Sequence, residues 1–295
     1  MYGGKFTDGY NSFPYSDGSR NFINAGNDVI IVAMNYRVGP FGIQQFDPGF
    51  LPSLELAEEG SANAGVMDVA AAFQWVRKHI YAFGGDPNRV TGFGLSSGGC
   101  TMKSNIVILA TLLMAEDGQL DLFDRVFLQS GSAIPVFDTP DQGEYVFENL
   151  MSQLKHKCTV GQTSLQCLRD LPAQDLLDAS LRTNKQLNSA ILTSYGPVLD
   201  GKFIRRQHFD SLRLGLFRKI PLMVSTTKDE GVFLTRAKIL DTKEMTPYEF
   251  EHKLFRFFNE SDLKVIEKEY SHDLSEDGIE NYNLSRVATD FYFQV

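Results

Sequence analysis

Two rhythms of apolar and polar residues run along the chain. Asp28-Val-Ile-Ile-Val-Ala-Met34 is an unbroken apolar, β-branched run, the pattern of a strand buried on both faces. Arg37-Val-Gly-Pro-Phe-Gly42 ends it in turn residues. From Asn63 to Phe83 the rhythm changes. Val66, Val69, Ala70, Phe73, Val76, Ile80 and Phe83 recur at three- and four-residue steps, giving a helix with one apolar face. Gly84-Gly85-Asp86-Pro87-Asn88 stops it. A short strand follows at Arg89-Val-Thr-Gly-Phe-Gly94, then a mostly apolar helix from Ser97 to Met114, then a strand at Arg125–Gln129 ended by Ser130-Gly131-Ser132. Pro140 to Gln186 reads as polar and helical, and Ile220–Ser225 as a late strand. Thr246-Pro-Tyr-Glu249 is a capping box opening a helix around Phe250 to Phe258. Strands alternating with helices predict an α/β fold, a mostly parallel central sheet flanked by helices.

Composition narrows the function classes. The 295 residues are 43% hydrophobic and 12% aromatic, enough for a large core. The net charge of −9 comes without a basic stripe, which argues against nucleic acid as partner. No apolar run reaches the roughly 18 residues that mark a membrane span. Gly3 to Asn27 is rich in Gly, Ser, Asn and aromatics and reads as loop, and Met1–Phe6 lacks the charged and apolar regions of a signal peptide. Of the three cysteines, Cys158 and Cys167 flank a polar stretch that either closes as a small disulfide loop or stays reduced. Two sequons, Asn259-Glu-Ser261 and Asn283-Leu-Ser285, are compatible with secretion.

Candidate chemistry concentrates at Gly94-Leu95-Ser96-Ser97-Gly98, a G-x-S-x-G pentapeptide between a predicted strand and a predicted helix. In that context the central serine stands at the apex of a sharp turn and serves as an acyl-transfer nucleophile. The flanking glycines let strand and helix approach without Cβ clashes. In open α/β sheets the carboxyl ends of strands are where ligands bind.

Asn35-Tyr-Arg-Val-Gly-Pro-Phe-Gly42, Asn63-Ala-Gly-Val-Met-Asp68, Phe73-Gln-Trp-Val76, Phe83–Thr91 and Gly94–Gly99 occur together and in order. Phe123–Gly131, Gly196-Pro-Val-Leu-Asp-Gly201 and Lys228-Asp-Glu-Gly231 follow. Over nearly the whole chain these blocks resemble the type-B carboxylesterases, the cholinesterase-like branch of the α/β-hydrolase fold. The resemblance implies a hydrolase of carboxylic esters working through an acyl-enzyme, with Ser96 as nucleophile and Glu230 as triad acid. It implies an oxyanion hole from the backbone N–H groups of Gly3, Gly4 and Ser97. It further implies an Arg37–Asp68 ion pair, a Cys158–Cys167 disulfide and a buried free thiol at Cys100. No metal and no cofactor is expected, and the substrate is a small ester.

Three departures qualify the resemblance. In this fold the triad histidine follows the acid, yet only His252 and His272 follow Glu230, and neither has the family's sequence context. Arg286–Phe293 resembles a segment that precedes the family's histidine, and the chain opens in glycine-rich loop. The expectation is therefore a single partial domain over 1–295, lacking N-terminal strands and a C-terminal segment, with little activity on its own and a secreted parent. Lys5 stands where the family usually has a third glycine. Leu95 replaces the family's common glutamate, so a neutral ester suits the site better than a cationic one. The rival expectation is a catalytically inactive interaction protein of the same fold.

Overall fold

The computed structural model describes residues 1–2, 9–12, 18, 26, 28–41, 49–95, 108–130, 137–187, 195–228, 261, 264–265 and 268. By internal contact the chain divides into Met1–Val224 and Ser225–Val295. In the second unit Ser261, Lys264, Val265 and Lys268 are helical.

In the first unit, helix α1 (Leu54–Glu59) starts at Ser53, whose Oγ accepts from the Glu55 amide, and ends at Gly60 with φ 93°. Helix α2 (Ala64–His79) buries Val66, Val69, Ala70, Phe73 and Val76 as the periodicity predicts. Its last turn, Ile80–Phe83, tightens to a 3-10 helix closed by Gly84 at φ 83°. That change has a consequence the 3.6-residue pattern misses. Three residues per turn rotate Phe83 off the apolar face, and it is 63% exposed.

Strand β1 (Thr91–Leu95) turns Gly92 and Gly94 inward and Phe93 and Leu95 outward. Helix α3 (Ile108–Met114) is buried at every position and lies over the inward face of β1, with Leu109 beside both glycines. Strand β2 (Arg125–Gln129) runs parallel to β1 in the register Thr91↔Arg125 through Leu95↔Gln129. Strand β3 (Leu222–Ser225) completes the order β1-β2-β3, and the preceding Pro221 carbonyl accepts from the Val126 amide at 3.1 Å. Sheet and helices thus form the expected α/β layering.

Asp124 fixes where the parallel pairing begins. Its amide donates to the Val90 carbonyl at 2.8 Å, and its carboxylate accepts from the Val90 amide at 2.8 Å. Arg77 of α2 reaches that carboxylate at 2.9 Å and the Pro87 carbonyl at 2.7 Å. Burial raises the Asp124 pKa, but the Val90 amide and the cations of Arg77 and Arg125 outweigh it and leave the group below its ordinary value.

The polar helical stretch resolves into α4 (Pro140–Leu154), α5 (Ser164–Asp170) and α6 (Ala173–Gln186). Gln142 Oε1 accepts from the Thr139 amide at 3.0 Å before α4. At α5, Thr163 and Gln166 exchange side-chain-to-amide bonds of 3.1 and 3.2 Å, a complete capping box. Cys158 and Cys167 are joined as a disulfide, their Cα atoms 5.3 Å apart. The last helix of the unit, α7 (His208–Leu214), ends at Gly215 with φ 70°.

One expected strand is overturned. Residues 28–34 belong to no strand among the described residues, and Val29, Ile30, Ile31 and Val32 are 42, 45, 43 and 39% exposed. β-branched composition sets a local preference for extended backbone. Pairing and two-sided burial need other segments, which no local pattern encodes.

Candidate active site

β1 ends at Leu95, immediately before Ser96, and β2 ends beside it at Gln129. The next residue after β2, Ser130, takes a left-handed φ of 54°, which ends the extended run at this carboxyl edge. The pentapeptide's first glycine is needed for packing. A Cβ on Gly94 would lie 3.1 Å from Leu109 Cδ1, tighter than ordinary contact.

On its other edge β1 is met by the N-terminus. The Met1 ammonium donates to the Phe93 carbonyl at 2.8 Å, and the Leu95 amide donates to the Met1 carbonyl at 3.3 Å. This is the hydrogen-bond pattern of a parallel bridge with Met1 opposite Gly94. Burial lowers the pKa of that ammonium. Residues 1–2, which lead into Gly3 and Gly4, are therefore held beside residues 94–95, which lead into Ser96 and Ser97.

Tyr2 is held in turn by Tyr36. Their rings stack at 4.6 Å; Tyr2 Oη donates to the Tyr36 carbonyl at 3.1 Å and Tyr36 Oη to the Tyr2 carbonyl at 3.2 Å. Burial raises the Tyr2 pKa, which keeps the phenol a donor. The next residue, Arg37, makes the expected ion pair. Its Nε and Nη2 each reach an Asp68 carboxylate oxygen at 2.7 Å, and its backbone amide adds a bond of 3.0 Å. Both side chains are about three-quarters covered, and the fork geometry makes this one of the stronger pairs a protein can form.

Close backbone approach explains the glycine in Asn63-Ala-Gly-Val-Met-Asp68. A Cβ on Gly65 would meet the Arg37 carbonyl oxygen at 2.5 Å and the Phe50 ring at 2.4 Å. The Gly65 amide donates to the Gly49 carbonyl at 2.8 Å. Asn63 is wholly buried and ties the block to the distant Gly196–Gly201 block. It exchanges bonds of 2.9 and 2.8 Å with Val198 and reaches Asp200 at 2.8 Å. These scaffold roles of Asn63 and Tyr2 were not assigned from sequence, because their partners lie far along the chain.

Ser96, Ser97, Gly3, Gly4, Lys5, Glu230, Cys100, His252 and His272 lie outside the described residues, as do the predicted capping box at 246–249 and its helix. Three histidines are described. His79 packs on Trp75 with ring centres 5.2 Å apart. His208 is buried against Phe137 at 4.6 Å, and His156 is exposed beyond the end of α4. Among the described residues no group of three or more His, Cys, Asp or Glu could hold a metal ion. Nor is any described helix long and apolar enough to cross a membrane.

The layering and the end of β1 at Leu95 define the architecture, and comparison with known proteins extends it. The chain is 32% identical to a solved PNB esterase, with a TM-score of 0.73 over 99% of this chain and 56% of that one. A Geobacillus stearothermophilus carboxylesterase gives 28% identity and a TM-score of 0.67 over 99% and 56%. The fold is the α/β-hydrolase fold.

The model of the carboxylesterase family matches residues 1–295, and the chain belongs to that family. Para-nitrobenzyl esterase of Bacillus subtilis is 33% identical over 86% of this chain and 48% of its own length. Secreted lipase 1 of Botryotinia fuckeliana is 32% identical over 85% and 42%, and cholinesterase 1 of Branchiostoma lanceolatum 32% over 79% and 62%. The chain spans about half the length of the curated relatives it matches.

Proposed function

We propose that this protein is a serine hydrolase of carboxylic esters, with residues 1–295 forming part of one catalytic domain. Ser96 attacks the ester carbonyl, and a histidine takes the hydroxyl proton and returns it to the leaving alcohol. Glu230 orients that imidazole and stabilises its cation. The amides of Gly3, Gly4 and Ser97 hold the oxyanion, each lowering the barrier by roughly 3 kcal/mol. Water then hydrolyses the acyl-Ser96 ester, releasing the acid.

The observation that carries this reading is the bridge between Met1 and β1. It starts the two segments assigned to the nucleophile and the oxyanion donors side by side, Met1 across from Gly94 of β1. Leu95 brings no negative charge next to the nucleophile, which favours a neutral ester. The disulfide and the relative named as a secreted lipase support an oxidising, extracellular setting.

The test is made on the full-length protein with p-nitrophenyl acetate and a fluorophosphonate probe. Wild type is expected to turn over ester and to carry the label on Ser96, and Ser96→Ala to lose about 10⁴-fold or more of the rate. An unlabelled, inactive wild type would overturn the reading in favour of an interaction protein; full activity in Ser96→Ala would overturn the assignment of the nucleophile.

A further inference from the structure

A polar groove of about 400 Å³ lies between α4 and α6, and none of its lining residues is one assigned to ester hydrolysis. Ser152, Gln153, His156 and Lys157 line one side of it, and Asp175, Asp178 and Arg182 the other. The volume suits a small ligand, and the all-polar lining excludes an acyl chain.

The hydrogen bonds show which groups are already committed. Lys157 Nζ is paired with Asp175 at 2.8 Å. Gln153 donates to Gln186 at 2.8 Å, and the Ser152 hydroxyl donates back into its own helix, to the Asn149 carbonyl at 2.7 Å. Asp178 accepts from Gln174 at 2.9 Å. It stands four residues before Arg182, the spacing at which such pairs form on helices. No hydrogen bond or ion pair joins Arg182 or His156 to any described residue. The groove therefore offers a guanidinium fork and an imidazole N–H, both unspent, from opposite walls.

These walls are held in place. The Lys157–Asp175 pair bridges them, and the disulfide begins at Cys158, two residues after His156. Lys157 and Asp175 cancel in charge, and Asp178 opposes Arg182, so the groove is not a general anion trap. A guanidinium fork selects a planar or tetrahedral oxyanion that can take two parallel N–H bonds.

We propose that this groove binds a small polar oxyanion, a carboxylate or a phosphate, held by Arg182 from α6 and His156 from the turn after α4. Malonate and inorganic phosphate, titrated separately by calorimetry at fixed salt, test it. Saturable binding with Kd of about a millimolar is expected for one of them, and which one binds assigns carboxylate or phosphate. Arg182→Gln is expected to weaken binding about tenfold. His156→Ala should cost about threefold, and Arg182→Lys should recover only part of the Arg182→Gln loss because it keeps the charge without the fork. Both side chains are exposed, so unfolding midpoints should stay unchanged. Absence of saturable binding by either probe overturns the proposal, as does binding that Arg182→Gln leaves unaltered.

Discussion

The layer around β1 and the layer built from α4, α5 and α6 are stabilised in opposite ways. In the first, the decisive partners are distant in sequence: Met1 beside Gly94, Arg37 on Asp68, Asn63 on Val198, Asp124 on Val90. Glycines there let backbones touch. In the second, several organising contacts close within nine residues, Thr139 with Gln142, Thr163 with Gln166 and Cys158 with Cys167, and the pairs that join α4 to α6 span 18 and 33 residues. The sheet layer pays its entropic cost through long-range closure, and the helical layer through local caps and one covalent loop. Damage to the first should spread to the carboxyl edge of β1. Damage to the second should stay local.

The sharpest way to break this comparison is Gly65→Ala. Intrinsic propensity favours alanine in a helix by about 1 kcal/mol, yet the new methyl would meet the Arg37 carbonyl and Phe50. A loss of about 3 kcal/mol is expected from overpacking, read as a lower denaturation midpoint, with faster amide exchange reaching β1. A neutral or stabilising result would show that the Arg37 backbone gives way easily.

Replacing Cys158 and Cys167 together by serine comes next. Closing a short loop is worth about 2 to 3 kcal/mol, and faster exchange should be confined to residues 155–170. If β1 amides also lost protection, the two layers would be one cooperative unit.

Asp124→Asn should cost about 1.5 kcal/mol, through the weakened bonds to Val90 and Arg77. Because its pKa is lowered in the folded state, Asp124 contributes stability above its unfolded pKa. That contribution is lost as pH falls through the lower folded value. Wild type should therefore lose more stability than the variant as pH falls from 5 into acid, measured by midpoints across pH. Parallel pH profiles would remove Asp124 from the sheet's acid response.

The smallest effect belongs to Thr163→Ala, about 1 kcal/mol for a lost N-cap. Exchange should rise only in the first turn of α5. Thr163→Ser, which keeps the hydroxyl, should restore most of the loss.

How legible each layer was in the sequence follows the same division. The face of α2 from Val66 to Val76 is readable from spacing alone, as are the strand at Arg125–Gln129 and one at Arg89–Gly94, which the structure places at Thr91–Leu95. Thr163-Ser-Leu-Gln166 also carries a start signal of the S/T-x-x-E/Q type within the polar helical stretch. Val29 to Val32 are exposed against expectation, because a β-branched run carries no information about what pairs with it or covers it. Phe83 misled because a 3-10 turn breaks the helical period. Of the candidate site, the sequence motif gave Ser96, Glu230, Gly3, Gly4 and Ser97 by resemblance. The bridge that brings residues 1–2 to residues 94–95 had no sequence signature.

By itself, then, the sequence determined the alternation of strand and helix, the family blocks and the identity of the chemical groups. Each of these depends on residue type and short spacing, which a single chain displays directly. Only the tertiary structure decided that Met1 stands opposite Gly94, that Gly65 lies under the Arg37 carbonyl, and that Arg182 and His156 face one groove. Those juxtapositions arise from packing between segments dozens of residues apart, where shape and hydrogen-bond satisfaction choose the partner and local preference does not.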